Sequence, residues 1–253
     1  MKIDAHVHLM NGGETDILLD RIRYGLAECG FDKAVLLPDF KIPNNADVEY
    51  AMRKFPGLFY GIYIPDFRRG AAHVLKELEA CLSAGFRGIK LHPRFQTIDL
   101  NADAEKATLA MCNERKLPVI IDGFMRDTDE GSKQLDFISR AADMLEETKI
   151  VIAHFGAERY KDVLMLAEDN DHIYMDLSLS LFFFTRTRPE MVGDMCSCVK
   201  RSGADRFLYG SDYPMYEIDM YARGSERKLR TAGLDDREIR KVFGETTLGV
   251  FGP

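Results

Sequence analysis

Short apolar runs recur along the whole chain, and a longer stretch with helical spacing separates most neighbouring runs. The runs fall at 2–9, 33–38, 58–64, 87–92, 117–122, 149–154, 172–179 and 206–212. Several are continuous rather than alternating, as in AVLLP, PVIID, IVIAH and FLYGSD. Parallel strands covered on both faces read this way, because neither face meets water. Residues 16–29 place Ile17, Leu18, Ile22, Leu26 and Cys29 at helical spacing. Residues 71–84 place Val74, Leu75, Leu78 and Leu82 on one side, with Gly85 as a stop. Residues 103–115 and 133–146 repeat the pattern. The stretch 235–251 opens on Asp235-Asp236, whose carboxylates suit a helix N-terminus.

Eight βα units in 253 residues predict an α/β fold, a (β/α)8 TIM barrel spanning 1–253 as a single domain. A doubly wound open sheet would carry a glycine-rich phosphate loop after its first strand. Met10-Asn11-Gly12-Gly13-Glu14 lacks that spacing. No linker or repeat divides the chain.

In such a barrel the chemistry sits at the C-terminal ends of the strands. Here those ends are polar. The first carries His6-Val7-His8, the fourth Lys90-Leu91-His92, the fifth Asp122, the sixth His154 and the eighth Ser211-Asp212. Residues two apart on a strand share a face, so His6 and His8 project together, with Ile3, Ala5 and Val7 expected opposite. A rigid imidazole pair is half of a catalytic metal site. Asp4 has the parity of the histidines, so it is expected to point into the barrel in a structural role. Any one of these residues alone could be an ordinary rim or core group. Five strand ends converging on one rim with metal-ligand and acid–base residue types point to a metal or catalytic site.

Net charge is −7, which disfavours nucleic acid and anionic membranes as partners, while a local basic cluster still suits a small anionic substrate. The N-terminus enters a strand directly, so no secretory signal is expected, and no apolar run is long enough to span a membrane. The five cysteines form no regular framework. They are expected as reduced thiols of a cytoplasmic protein.

The segments DAHVHL, GIKLHP, LPVII, VIAHFG and LYGSDYP together resemble the amidohydrolase superfamily, in its amidohydrolase-related branch of metal-dependent barrels. The resemblance runs the length of the chain. It implies that His6 and His8 are metal ligands and that Asp212 both touches the metal and handles the proton of its water. It implies that His154 lies by the substrate as a polarising or acid–base group. The family usually ends its fifth strand in histidine, where this chain has Asp122. A His6-His8-Asp122-Asp212 ligand set is therefore expected, holding one divalent ion, zinc foremost, with manganese or iron as alternatives. Some members bridge two metals through a strand-four lysine. Without the strand-five histidine, Lys90 is expected instead beside the substrate, with His92 and Arg94. A second departure is Gly244-Glu245-Thr246-Thr247, where an asparagine often follows the glutamate.

The expected activity is hydrolysis of a small, carboxylated lactone, ester or amide. The alternatives are a decarboxylase or hydratase on the same barrel, or a degenerate barrel that binds ligand without turnover. Arg68, Gln96, Arg126 and Arg159 are further candidates to face the substrate. Phe182-Phe183-Phe184 is read as a pocket wall or a contact between copies of a homo-oligomer.

Overall fold

The computed structural model describes residues 1–252. Eight parallel strands follow in chain order around one sheet. They are β1 Ile3–Leu9, β2 Lys33–Pro38, β3 Phe59–Tyr63, β4 Gly88–Leu91, β5 Val119–Ile121, β6 Ile150–Ile152, β7 Ile173–Asp176 and β8 Phe207–Leu208. The last strand returns to the first. Val7 bridges Tyr213 in parallel, and the N–H groups of Ala5, His8 and Asp212 donate to Tyr209, Tyr213 and His6 carbonyls at 2.8–2.9 Å. The sheet therefore closes into a barrel. The helices are α1 Thr15–Glu28, α2 Asn45–Lys54, α3 Ala71–Ser83, α4 Asp103–Glu114, α5 Asp129–Met144 and α6 Tyr160–Glu168. They continue with α7 Ser180–Phe183, α8 Pro189–Ser202, α9 Ile218–Thr231, α10 Asp236–Arg240 and α11 Thr246–Phe251.

Two apolar layers hold the barrel. The outer layer lies between strands and helices and includes Val7, Leu36, Ile89, Ile121 and Ile152. The inner layer combines Ile3, Ala5, Val35, Leu37, Ile62, Ile120, Val151 and Leu208. Val250 and Phe251 of α11 join the inner layer and floor the barrel. Gly88 admits that floor. A Cβ there would sit 2.7 Å from the Pro118 carbonyl and 3.4 Å from the Phe251 ring. Burying a side chain such as Phe251 stabilises the fold by about 2–3 kcal/mol.

The face assignment along β1 is corrected in one respect. Ile3 and Ala5 face the interior, not the helices, and only Val7 lies opposite the histidines. The β1–β2 register shifts between Asp4 and Val7, and such an irregularity re-aims the residues after it. Asp4, between two inward residues, consequently turns away from the interior. Its Oδ1 accepts from the N–H groups of His6 and Ser211 at 3.1 and 2.9 Å, tying β1 to β8.

The stretch 235–251 is also not one helix. Asp235 caps α10 in a reciprocal box with Glu238, but a wide turn at 241–245 separates α10 from α11. Gly244 packs directly on the Met1 carbonyl, leaving no space for a side chain.

Candidate active site

The strand ends form two adjoining clusters at the barrel mouth. In the first, His6 Nε2 and His8 Nε2 stand 3.2 Å apart, and Asp212 Oδ1 lies 3.6 and 3.8 Å from them. The other nitrogen of each ring has its own partner. His6 Nδ1 bonds Asp176 Oδ2, and His8 Nδ1 donates to the Pro38 carbonyl at 2.9 Å. With Nδ1 committed, each Nε2 turns a lone pair toward the shared centre. Burial, joined by the Lys90 charge, pulls both imidazoles below their ordinary pKa and keeps them neutral. Two neutral imidazoles and a carboxylate converging at these spacings fit a divalent metal ion. His6, His154 and Asp212 also offer donor atoms within 4.8 Å of one another.

Lys90 enters this cluster from β4. Its Nζ lies 2.9 Å from His6 Nε2 and 3.4 Å from His8 Nε2, and its side chain is fully buried. Burial lowers its pKa, against the pull of Asp122, Asp212 and Asp176.

The second cluster is built on Asp122. Arg94 donates Nε to Oδ2 at 2.6 Å and Nη2 to Oδ1 at 3.0 Å. Gln134 of α5 donates to Oδ2 at 3.0 Å and to the Asp122 carbonyl at 2.8 Å. His154 Nε2 and His92 Nε2 lie 3.3 and 3.7 Å from Oδ1. Burial alone would raise this carboxyl, but His92, His154 and Arg94 outweigh it and hold Asp122 well below the usual range. Asp122 is thus held in a two-bond ion pair with Arg94.

His154 links the clusters. His154-Phe155-Gly156-Ala157 runs through positive φ values of 60°, 48°, 74° and 51°. Three of these are side-chain-bearing residues in a region that favours glycine. The turn puts Nδ1 3.0 Å from Ser178 Oγ while Nε2 meets Asp122. Burial would lower the His154 pKa, but Asp122, Asp212 and Asp176 together raise it.

His92 packs against Phe40 and Phe95, ring centroids 5.0 and 4.7 Å away. Burial depresses it to about 3, and its Nδ1 has no partner among the described residues. Beyond Phe40 lies a cavity of about 110 Å³, bordered also by Lys41, Phe67, Phe95 and Gln96.

The remaining candidates are distributed differently. Arg68 pairs with its neighbour Asp66, Arg126 with Glu158, and Arg159 with Asp162. Gln96 braces the mouth, accepting from the His92 N–H and donating to the Pro65 carbonyl. The phenylalanine run divides. Phe183 and Phe184 pack on Phe124 at the mouth, and Phe182 packs on Tyr216 and Tyr221 of the outer shell. The five cysteines are free thiols. No helix among the described residues is long and apolar enough to cross a membrane.

Sequence reasoning missed Asp176, Ser178 and Gln134. Asp176 and Ser178 end the strand-seven run at the same i, i+2 spacing as His6 and His8, a signal that was present. Gln134 carried none, being one polar residue on an amphipathic helix.

A model of the amidohydrolase family matches residues 3–252. A sequence comparison with curated proteins finds no match. Among solved structures, a probable 2-pyrone-4,6-dicarboxylic acid hydrolase from Acinetobacter baumannii, with citric acid bound, superposes with a TM-score of 0.77 at 18% identity, covering 100% of this chain and 99% of that one. A 2,6-dihydroxybenzoate decarboxylase complexed with 2,6-dihydroxybenzoate gives 0.70 at 13%, covering 99% and 98%. A 4-oxalomesaconate hydratase from Rhodopseudomonas palustris gives 0.70 at 16%, covering 99% and 95%. At these identities the likeness is one of fold.

Proposed function

The chain belongs to the amidohydrolase family, and on that premise we propose that it hydrolyses a small carboxylated lactone, ester or amide at a divalent metal held by His6, His8 and Asp212. Zinc is the first choice of ion, with manganese or iron as alternatives. The observation that carries this reading is the orientation of the two imidazoles. Each has its Nδ1 fixed and its Nε2 turned to a point it shares with Asp212. A divalent ion there supplies Lewis acidity and a nucleophile at neutral pH.

The chain's own groups divide the remaining work. Asp212 takes a proton from the attacking water and returns it to the leaving group. His154, favoured in its charged form by the surrounding carboxylates, polarises the substrate carbonyl. Lys90 presents its buried Nζ beside both histidines. Arg94 stands at the mouth to meet the substrate's carboxylate.

The test starts from protein purified without chelator. Elemental analysis should find close to one divalent ion per chain, lost in His6→Ala and Asp212→Ala. A panel of lactones, esters and amides bearing a carboxylate should reveal turnover that falls with the ion. A site that stays empty at physiological metal levels removes the reading. Decarboxylation or hydration is the second reading, favoured by the decarboxylase and hydratase among the similar folds. Carbon dioxide release, or water addition without bond cleavage, on the same panel would select it.

A further inference from the structure

Asp122 is the most heavily engaged carboxylate in the mouth. Its side chain is fully buried, both oxygens accept from Arg94, and Gln134 adds a second bond to Oδ2. On the other oxygen, His154 Nε2 and His92 Nε2 close in to 3.3 and 3.7 Å. A carboxylate offers about four lone-pair sites, so little acceptor capacity remains for an ion. A dication at this carboxylate would also stand against the Arg94 guanidinium, which cannot give up its charge.

Arg94 shows what this arrangement achieves. A guanidinium has five N–H groups, and Asp122 uses two of them. The other three have no acceptor among the described residues. Phe95 and Phe124 lie at 5.6 and 5.2 Å from the guanidinium carbon, so both rings pack closely around the group. The side chain is 29% exposed, in contrast to the fully buried acid beneath it. A long side chain that would otherwise sample many rotamers is thereby pinned at one place on the rim with donors to spare. Such preorganisation removes the ordering cost from ligand binding.

We propose that Asp122 is a positioning residue, anchoring Arg94 as the receptor for a substrate carboxylate, and that strand β5 gives the metal centre no ligand. The proposal rests on the carboxylated-substrate reading above and names the residue that sets that preference. Asparagine cannot replace Asp122. Each oxygen accepts from Arg94, so an amide nitrogen would face an Arg94 N–H whichever way it turned.

Isothermal titration with benzoate and with benzamide, which share a shape and differ in charge, measures the preference directly and needs no turnover. The unaltered protein should favour benzoate by about tenfold or more, the scale of a charge-assisted pair. In Arg94→Met and in Asp122→Asn the two affinities should become equal, while elemental analysis of Asp122→Asn still finds the metal content of the unaltered protein. Should Asp122→Asn not fold, the double variant Asp122→Leu/Arg94→Met removes both charges together and leaves neither stranded. It should keep the ion and show no preference. Loss of the ion in either Asp122 variant, or a benzoate preference that survives in Asp122→Asn, overturns the proposal. A lack of preference in the unaltered protein also overturns it, while leaving metal content and turnover as separate evidence on hydrolysis. Turnover that is absent while the preference behaves as described defeats the hydrolase reading alone.

Discussion

Asp176→Asn is the sharpest test of how the proposed metal-binding face is held. The carboxylate is about 1% exposed and serves two groups, taking His6 Nδ1–H on Oδ2 and the Ser178 N–H on Oδ1 at 2.5 Å. Asparagine can present an oxygen to only one of them, so either His6 loses its orienting acceptor or Ser178 N–H faces an amide nitrogen. Bonds to a charged group contribute about 1.5–3 kcal/mol each. Loss of a partner behind a metal-bound histidine lowers metal affinity about 10–100-fold. A middle value of about 2 kcal/mol corresponds to roughly 30-fold. Competition with a chromophoric zinc chelator would read that weakening, and urea melts of metal-free protein would read the folding cost of about 1–3 kcal/mol separately. Ser178→Ala, which keeps the backbone N–H and removes only Oγ, should weaken zinc much less. Zinc affinity in Asp176→Asn within twofold of the unaltered protein would refute the argument that this carboxylate fixes the His6 ring. So would a loss as complete as that in His6→Ala, which would make Asp176 a ligand itself.

Other consequences can be checked in the same preparations. Ala157 is buried at φ 51°, ψ −117°, a glycine-like conformation, so Ala157→Gly should raise stability in urea by about 1 kcal/mol, strain relief of about 1–3 kcal/mol exceeding the lost methyl burial of about 0.8. Gly210→Ala would put a Cβ 2.5 Å from His6 Cβ and 3.1 Å from Asp176 Oδ1, and should cost about 1–3 kcal/mol of stability together with most zinc binding. The Tyr160 hydroxyl, donating to Asp194 at 2.6 Å, is the first cause holding that carboxyl below its usual pKa. A depressed carboxyl stabilises the fold above its ordinary range and loses that contribution as pH falls through the depressed value. Tyr160→Phe should therefore cost about 1 kcal/mol at pH 7, discounted because the Asp194 side chain is 35% exposed, and almost nothing near pH 2.

The strands were legible because a covered parallel strand is apolar on both faces, and AVLLP or IVIAH can hardly be anything else in 253 residues. Their far ends were less so. The run 172–179 reads as one strand, yet the strand ends at Asp176: the Leu177 N–H still donates to the Leu208 carbonyl of β8, but the Ser178 N–H turns back to Asp176 and its Oγ meets His6 and His154. The irregularity in β1 carries no glycine or proline to announce it, and the closing contacts with Tyr209, Asp212 and Tyr213 lie some 200 residues away in sequence. The break in 235–251 had a cue in Gly244, but its reason is the Met1 carbonyl at the other end of the chain. In the site, residue types at strand ends were readable and pairings were not. Nothing local to Asp122 says that Arg94 and Gln134 will reach it first.

The two histidines of β1 are oriented by unlike means. Behind His6 stands a side chain, Asp176, and behind His8 a main-chain oxygen, that of Pro38. The first support can be altered by one codon change, while the second persists through any substitution at position 38 that spares the backbone path. Divergence under selection thus has one adjustable half and one inherited half. A lineage adapting this barrel to a new ion or reaction could retune His6 in single steps through position 176, while His8 would remain the fixed reference.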